Sequence, residues 1–248
     1  MEKILALWAV PRSTSTAFEW MMRVRGDFEC LHEPFGEVWY QGEEPLWPRA
    51  TQDSLRTPGL TYESCWENLQ GISAHKAVFI KDFPLYLEPV LSDEFLGNFR
   101  HSFLIRDPLK TLSSMYEKWP DFDEKEIGFI EQRQLFDHLC ELDGNPPPVI
   151  DSDDLLEDPF EMVKLWCEAV DISFIPEALS WTPGPRDEVS WWDGGSFHEN
   201  LRKSDGLKKQ KRKEISIEDA PERVKEVYQV VRPHYEHLAK YRITSKNV

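Results

Sequence analysis

Short apolar runs alternate along this chain with longer stretches of helical spacing. Five runs, at 4–9, 28–31, 77–80, 102–105 and 149–150, are of strand length and end in polar or turn residues, as buried parallel strands do. Between them Phe18, Met21 and Met22 keep i, i+3, i+4 spacing, and Phe160, Val163, Cys167 and Val170 do so later. Val224, Val227, Tyr228, Val231, Tyr235 and Leu238 mark a C-terminal helix over about 218–241, disturbed at Pro233. Strand–helix alternation predicts an α/β fold, a central parallel sheet of about five strands flanked by helices. The chain, 1–248, reads as one domain, with Gly194, Gly195 and Gly206 marking an irregular lid over about 187–213.

Composition narrows the function classes. A length of 248 residues is enough to bury a full core. The net charge of -16 argues against a general nucleic-acid or heparin surface, because such binding needs cationic patches that release counterions. It leaves room for one small anion held by local cations. Cys30, Cys65, Cys140 and Cys167 are scattered, with no C-x-x-C and no metal-ligand spacing, and read as reduced thiols of a cytoplasmic protein. No apolar run is long enough for a signal h-region or a membrane span, so no membrane partner is expected. Oligomeric state is left open.

Candidate chemistry concentrates in two places. After the run at 4–10 come Pro11, Arg12 and four hydroxyl residues, Ser13, Thr14, Ser15 and Thr16, and then a helical pattern from Ala17. A strand, a tight polar turn and a helix N-terminus together make an anion site, since first-turn amides lack intrahelical partners and the helix dipole adds positive charge. Arg12 adds full charge and a forked donor set. The plainer reading is a Ser/Thr-capped helix. The phosphate loop G-x-x-x-x-G-K-[ST] is absent, with no glycine between Met1 and Arg25. The second place is 102–116, SFLIRDPLKTLSSMY. A strand delivers Arg106 to its C-terminal edge, and Asp107-Pro108 starts a helix. There Leu109, Leu112 and Tyr116 share an apolar face and Ser114 points away, so Arg106 and Ser114 converge on one anion. The plainer reading pairs Arg106 with Asp107 or another carboxylate and leaves Ser114 solvated.

Both places resemble signatures of the sulfotransferases that use 3′-phosphoadenosine 5′-phosphosulfate (PAPS). V-P-R-S-T-S-T resembles that family's 5′-phosphosulfate loop, although many members carry Gly where this chain has Thr14. A strand-end Arg followed eight positions later by a Ser, here Arg106 and Ser114, is similar to the family's 3′-phosphate signature. The resemblance implies a P-loop-like sulfotransferase architecture and PAPS as sulfuryl donor, with 3′-phosphoadenosine 5′-phosphate (PAP) as product and no metal. It implies transfer to a hydroxyl, or less readily an amine, of a small acceptor. Fainter echoes follow. The acidic stretch from Asp153 to Pro159 resembles a family segment, in which Tyr often stands where this chain has Ser152. Arg202-Lys203-Ser204 resembles an Arg-Lys-Gly that closes on the 3′-phosphate, while Lys208, Lys209, Lys211, Arg212 and Lys213 read as a solvated basic face.

The general base is less defined. Many members present Lys-Thr-His-x-Pro after the third strand; this chain has Lys81-Asp82-Phe83-Pro84. Lys81 matches, and the resemblance implies that it assists the bridging oxygen while Arg12 stabilises the leaving phosphate. Phe83 replaces the His. Other branches use a Glu shortly after the second strand, and Leu31-His32-Glu33-Pro34-Phe35 supplies one. Candidate bases are Glu33 first, His32 second and Asp82 third. The structural alternatives are Glu33 pairing Arg12, His32 packed in the core and Asp82 capping a helix.

Two rival readings remain at this point. One is a P-loop nucleotide kinase or phosphotransferase, because 77–82 and 102–107 are apolar strands ending near an acid, as a Walker B strand does. The other is a nucleotide-binding protein without activity. Trp39, Tyr40, Trp47, Trp66, Trp181, Trp191 and Trp192 either line a pocket for an apolar or aromatic acceptor or pack irregular loops onto the sheet.

Overall fold

The computed structural model describes residues 3–189, 199–209 and 215–244. Five strands, β1 (Ile4–Trp8), β2 (Glu29–His32), β3 (Val78–Asp82), β4 (Phe99–Ile105) and β5 (Val149–Asp151), form one parallel sheet in the order β2-β3-β1-β4-β5. All five apolar runs become strands. Every residue of β1 and β3 is buried, which is why neither shows the alternation of a half-exposed strand.

β2 and β5 run one residue past their apolar runs, to His32 and Asp151, and β3 and β4 run further because their polar residues have partners. β4 begins at Phe99 rather than at 102; Arg100 donates to the carbonyls of Val170 and Asp171, and His101 Nδ1 accepts from Trp8 Nε1 at 2.9 Å. That bond leaves His101 Nε2 to donate to the Leu96 carbonyl at 3.1 Å. Burial holds the His101 ring down at about 4, so it packs as a neutral group. β3 runs past Ile80 to take in Lys81 and Asp82, both buried.

The helices, in chain order, are α1 (Ser15–Arg25), α2 (Pro34–Gln41), α3 (Tyr62–Ser73), α4 (Asp93–Leu96) and α5 (Pro108–Tyr116). They continue as α6 (Phe129–Asp143), α7 (Ser152–Glu157), α8 (Pro159–Ala169), α9 (Glu199–Lys203) and α10 (Glu222–Ala239). On α1 the expected face of Phe18, Met21 and Met22 is buried, and Glu19 is buried with it. On α8 the buried face is Met162, Val163, Leu165, Trp166 and Cys167, whereas Phe160 is exposed and meets Phe174 edge-on at 5.0 Å. Phe160 projects away from the centre of that stripe, so its match to helical spacing was misleading.

α10 buries Val224, Val227, Val231 and Leu238 and packs on α5 and α6. It runs unbroken through Pro233. A proline deprives the carbonyl four residues back of its partner; here Gln229 and Pro233 are both exposed, so water can satisfy it. Val10 joins Leu112, Met115, Phe129 and Val227 in a second apolar cluster, which fixes the chain leaving β1 against α5.

Within 187–213 the structure places a short turn of helix at Asp187–Val189, then α9, and a bridge between Ser180 and Gly206. At Gly206 a Cβ would stand 2.6 Å from the Leu179 carbonyl oxygen, so only glycine fits that crossing. Gly194, Gly195, Trp191, Trp192, Lys211, Arg212 and Lys213 lie outside the described residues. The four cysteines are free thiols. Among the described residues no helix is long and apolar enough to cross a membrane.

The topology positions the site. Chain leaving β1 turns toward β2 and β3, and chain leaving β4 turns toward β5, so a crevice opens beyond the carboxyl ends of the two central strands. His32 pairs in register with Lys81, and Asp82 with Trp8. The residues that follow these strands therefore share one edge of the sheet.

Candidate active site

The turn after β1 takes an uncommon path. Arg12 has φ 63 and Thr14 φ 75, both in the left-handed region, where a non-glycine residue costs about 1–3 kcal/mol. Five contacts hold it there. Arg106 Nη1 donates to the Arg12 carbonyl from the end of β4. Ser152 Oγ, at the start of α7, donates to the Ser13 carbonyl at 2.8 Å and lies 2.8 Å from Thr14 Oγ1. The Thr14 carbonyl accepts from Ala17 N and Phe18 N at 3.1 and 3.2 Å. Threonine in place of the family's glycine thus gains a hydroxyl tie to Ser152 that glycine lacks.

No side chain caps α1. Its first-turn amides point out of the helix at Ser15 and Thr16, which line the cavity above the sheet. Arg12 Nε donates to Ser114 Oγ at 3.0 Å, so the two motifs meet across 102 residues of sequence. Arg106 engages a backbone carbonyl of the first loop, and Asp107 accepts from Lys110 N at 3.1 Å as the cap of α5. Ser13 Oγ is buried with no hydrogen-bond partner among the described residues. A buried hydroxyl left without a partner is unfavourable by about 1–3 kcal/mol; an anion oxygen in the loop would satisfy it.

Charged groups of both signs make up the β2–β3 side. Lys81 Nζ, fully buried, donates to Glu33 Oε1. Glu33 therefore pairs with Lys81 rather than with Arg12, and its own backbone sits at φ 44 at the start of α2. His32 Nδ1 lies 2.6 Å from Glu19 Oε2, and His32 Nε2 lies 3.9 Å from Glu33 Oε1. Arg23 donates twice to Glu19 Oε1, at 3.0 and 2.8 Å. Burial would raise the Glu19 carboxyl, but His32, Lys81 and Arg23 outweigh it and bring the carboxyl down to about 2. Asp82 spends both oxygens on backbone, accepting from Phe35 N at 2.8 Å and Phe83 N at 2.9 Å. Burial and the neighbouring Glu33 push its carboxyl well up. Asp82 does not line the cavity; it holds the start of α2, as its structural alternative anticipated.

Both sides open on one cavity of about 930 Å³. Arg12, Arg106 and Ser114 stand at one wall, and His32 and Glu33 at another. Tyr40, Phe83, Tyr86 and Trp119 supply an aromatic wall beside Glu33. Trp119 is stacked on Trp47 at 6.0 Å, and the Tyr40 and Tyr86 hydroxyls are 3.4 Å apart. Of the expected aromatics only Tyr40 lines the cavity among the described residues. Trp66 packs on Phe95 and Phe99 in the core, Trp39 packs on Tyr40 and Tyr86 behind the wall, and Trp181 donates to Ser204 Oγ at 3.0 Å.

Arg202 and Lys203, expected at the anion, do not line the cavity. Asn200 and Leu201 of α9 and Ser204 just after it line the cavity, and Arg202 and Lys203 between them do not. Lys208 and Lys209 line it from this stretch, although Lys209 also pairs with Glu157.

Sequence reading missed Glu19, Ser152 and the aromatic wall of Phe83, Tyr86 and Trp119. Glu19 left a signal: a carboxylate within the apolar stripe of α1 needs a buried partner. Ser152 left none, since its contacts join positions 138 and 139 residues apart.

The chain is 27% identical over 241 residues to branched-chain-amino-acid aminotransferase-like protein 2 of Arabidopsis thaliana. It is 28% identical over 239 residues to the corresponding protein 1. Each alignment takes in 95% of this chain and 42% of the relative, so the chain spans less than half the length of either. Its fold resembles the sulfotransferase domain from the curacin biosynthetic pathway, with a TM-score of 0.53 and 12% identity over 94% of this chain and 98% of that one. The profile of the family described as "Sulfotransferase domain" matches residues 2–213. The chain therefore belongs to the sulfotransferase domain family.

Proposed function

We propose that this protein transfers the sulfuryl group of PAPS to the hydroxyl of a small apolar or aromatic acceptor. The observation that carries the reading is that Arg12, Arg106 and Ser114 border the same cavity as Glu33, whose carboxylate the fully buried Lys81 holds from outside the cavity lining. Ser13 Oγ, buried without a partner among the described residues, fits an anion oxygen seated in the loop. Arg106 and Ser114 would hold the 3′-phosphate. The Arg12 guanidinium and the α1 N-terminus would hold the 5′ end, where negative charge grows on the leaving phosphate.

PAPS supplies the sulfuryl group when bound. Glu33, beside the aromatic wall, takes the proton of the acceptor hydroxyl, while Lys81, fully buried and outside the cavity lining, holds the Glu33 carboxylate in place rather than meeting the bridging oxygen itself. The wall of Tyr40, Phe83, Tyr86 and Trp119 would bury an apolar ring and present its hydroxyl to Glu33. This reading is tested by following PAP release from PAPS across a panel of small apolar and aromatic alcohols. Acceptor-dependent PAP release is expected. Phosphoryl transfer from ATP–Mg²⁺ to the same panel, with none from PAPS, would overturn it in favour of a kinase.

A further inference from the structure

Glu19 is fully buried and does not line the cavity. Its two oxygens do different jobs. Oε1 accepts both bonds from Arg23, and Oε2 faces His32 Nδ1 at 2.6 Å. The His32 ring lines the cavity, and its Nε2 lies 3.9 Å from Glu33 Oε1. That separation is too long for a direct hydrogen bond, and one bridging water or a rotation of the Glu33 carboxylate spans it.

We propose that Glu19 is a positioning residue of this site, fixing His32 with Nδ1–H as donor so that Nε2 receives the proton that Glu33 takes from the acceptor hydroxyl. This rests on the sulfuryl-transfer reading above. The two bonds from Arg23 to Oε1 hold Glu19 as a carboxylate, which is an acceptor only, so Nδ1 must donate to Oε2. A neutral ring then carries its lone pair on Nε2, on the side of Glu33 and the cavity. The balance closes: the acceptor oxygen bonds sulfur as the bond from sulfur to the bridging oxygen breaks and PAP leaves, while the acceptor O–H bond breaks and Glu33 holds the proton. His32 accepts it as an imidazolium beside anionic Glu19, and it leaves to solvent through the cavity that His32 lines.

The geometry makes a Glu19→Gln variant informative. Arg23 donates twice to one oxygen of residue 19, so it holds the single amide oxygen of the variant and turns the amide NH₂ toward Nδ1. Nδ1 must then accept, the ring proton moves to Nε2, and Nε2 can no longer take a proton. Nitrogen-15 NMR of histidine-labelled apo protein, with His32 assigned through a His32→Gln variant, reads the tautomer directly. The parent should show Nδ1–H and the Glu19→Gln variant Nε2–H. PAP release should fall about 100-fold in kcat, with the thermal shift given by PAP unchanged. In a His32→Gln background, Glu19→Gln should lower kcat no further.

An unchanged tautomer, a parent-like kcat or additive losses would overturn the inference while leaving the transfer reading intact. A parent that releases no PAP from PAPS overturns both. If Glu19→Gln gives no cooperative melt, His32→Gln alone decides. It keeps the Glu19–Arg23 pair, a comparable loss of kcat supports the proposal, and parent-like kcat ends it.

Discussion

On the β1–β4 side of the cavity, two guanidiniums and a set of hydroxyls are locked to backbone and to one another. Arg106 holds the Arg12 carbonyl, Arg12 holds Ser114, and Ser152 holds the loop from below. On the β2–β3 side, charges alternate through side chains alone, from Arg23 to Glu19, His32, Glu33 and Lys81. The first arrangement is cationic and rigid, which suits holding an anion whose charge does not change sign. The second is balanced in charge, so a proton can move along it while the net charge of the group stays small. A site for group transfer needs both, and the sheet order sets them side by side.

Substitutions that separate the two sides test this division. The largest effect is expected from Glu33→Gln, which should lower kcat for PAP release by about 100- to 10,000-fold while PAP still raises the melting temperature as in the parent. Loss of PAP binding in that variant would mean that the two sides are not separable. Next is Arg106→Ala, which removes a charged contact and the tether on the strained Arg12 backbone. Calorimetry should read a weakening of PAP binding by about 10- to 100-fold, from about 1.5–3 kcal/mol for a hydrogen bond to a charged group. Unaltered affinity would remove the anion role from that side.

Ser152→Ala tests whether the loop is held from beneath. It leaves the Ser13 carbonyl and Thr14 Oγ1 short of a partner and should cost about 1–3 kcal/mol in denaturant unfolding. A parent-like stability would show that Thr14 keeps φ 75 without that tie.

The last effect is confined to acid. The Glu19 carboxyl sits at about 2 in the folded state against 4.5 when unperturbed. Between those values the unfolded chain binds more protons, so this contribution is full above 4.5 and is lost as pH falls through about 2. Glu19→Gln should flatten the fall of stability with acid in that window, and Ser114→Ala on the other side should leave it as in the parent. Equal slopes in all three proteins would contradict the paired state of Glu19.

How far the sequence could be read differs between the same two sides. Arg12, Arg106 and Ser114 were legible because each follows a strand end or helix start within a few residues, and local patterns fix where such residues point. Glu33 and Lys81 were legible as residues but not as a pair, because their bond joins strands that topology alone makes neighbours. Phe160 and Pro233 misled for the opposite reason, since local spacing suggested a core contact and a break that the tertiary packing does not make. Of the aromatic wall only Tyr40 could be read; Phe83 and Tyr86 share one short turn after β3 and Trp119 follows α5, and only the tertiary fold brings them beside Tyr40.

The central claim is that a nucleotide phosphorylated at both ends is held by the β1–β4 side, and thermal-shift titration tests it most directly. PAP, ADP and ATP would each be titrated with and without Mg²⁺. Saturation near 100 times the dissociation constant should add about 2.7 kcal/mol of stability. PAP without metal is predicted to stabilise strongly and ATP–Mg²⁺ little; strong stabilisation by ATP–Mg²⁺ with none by PAP would contradict the account.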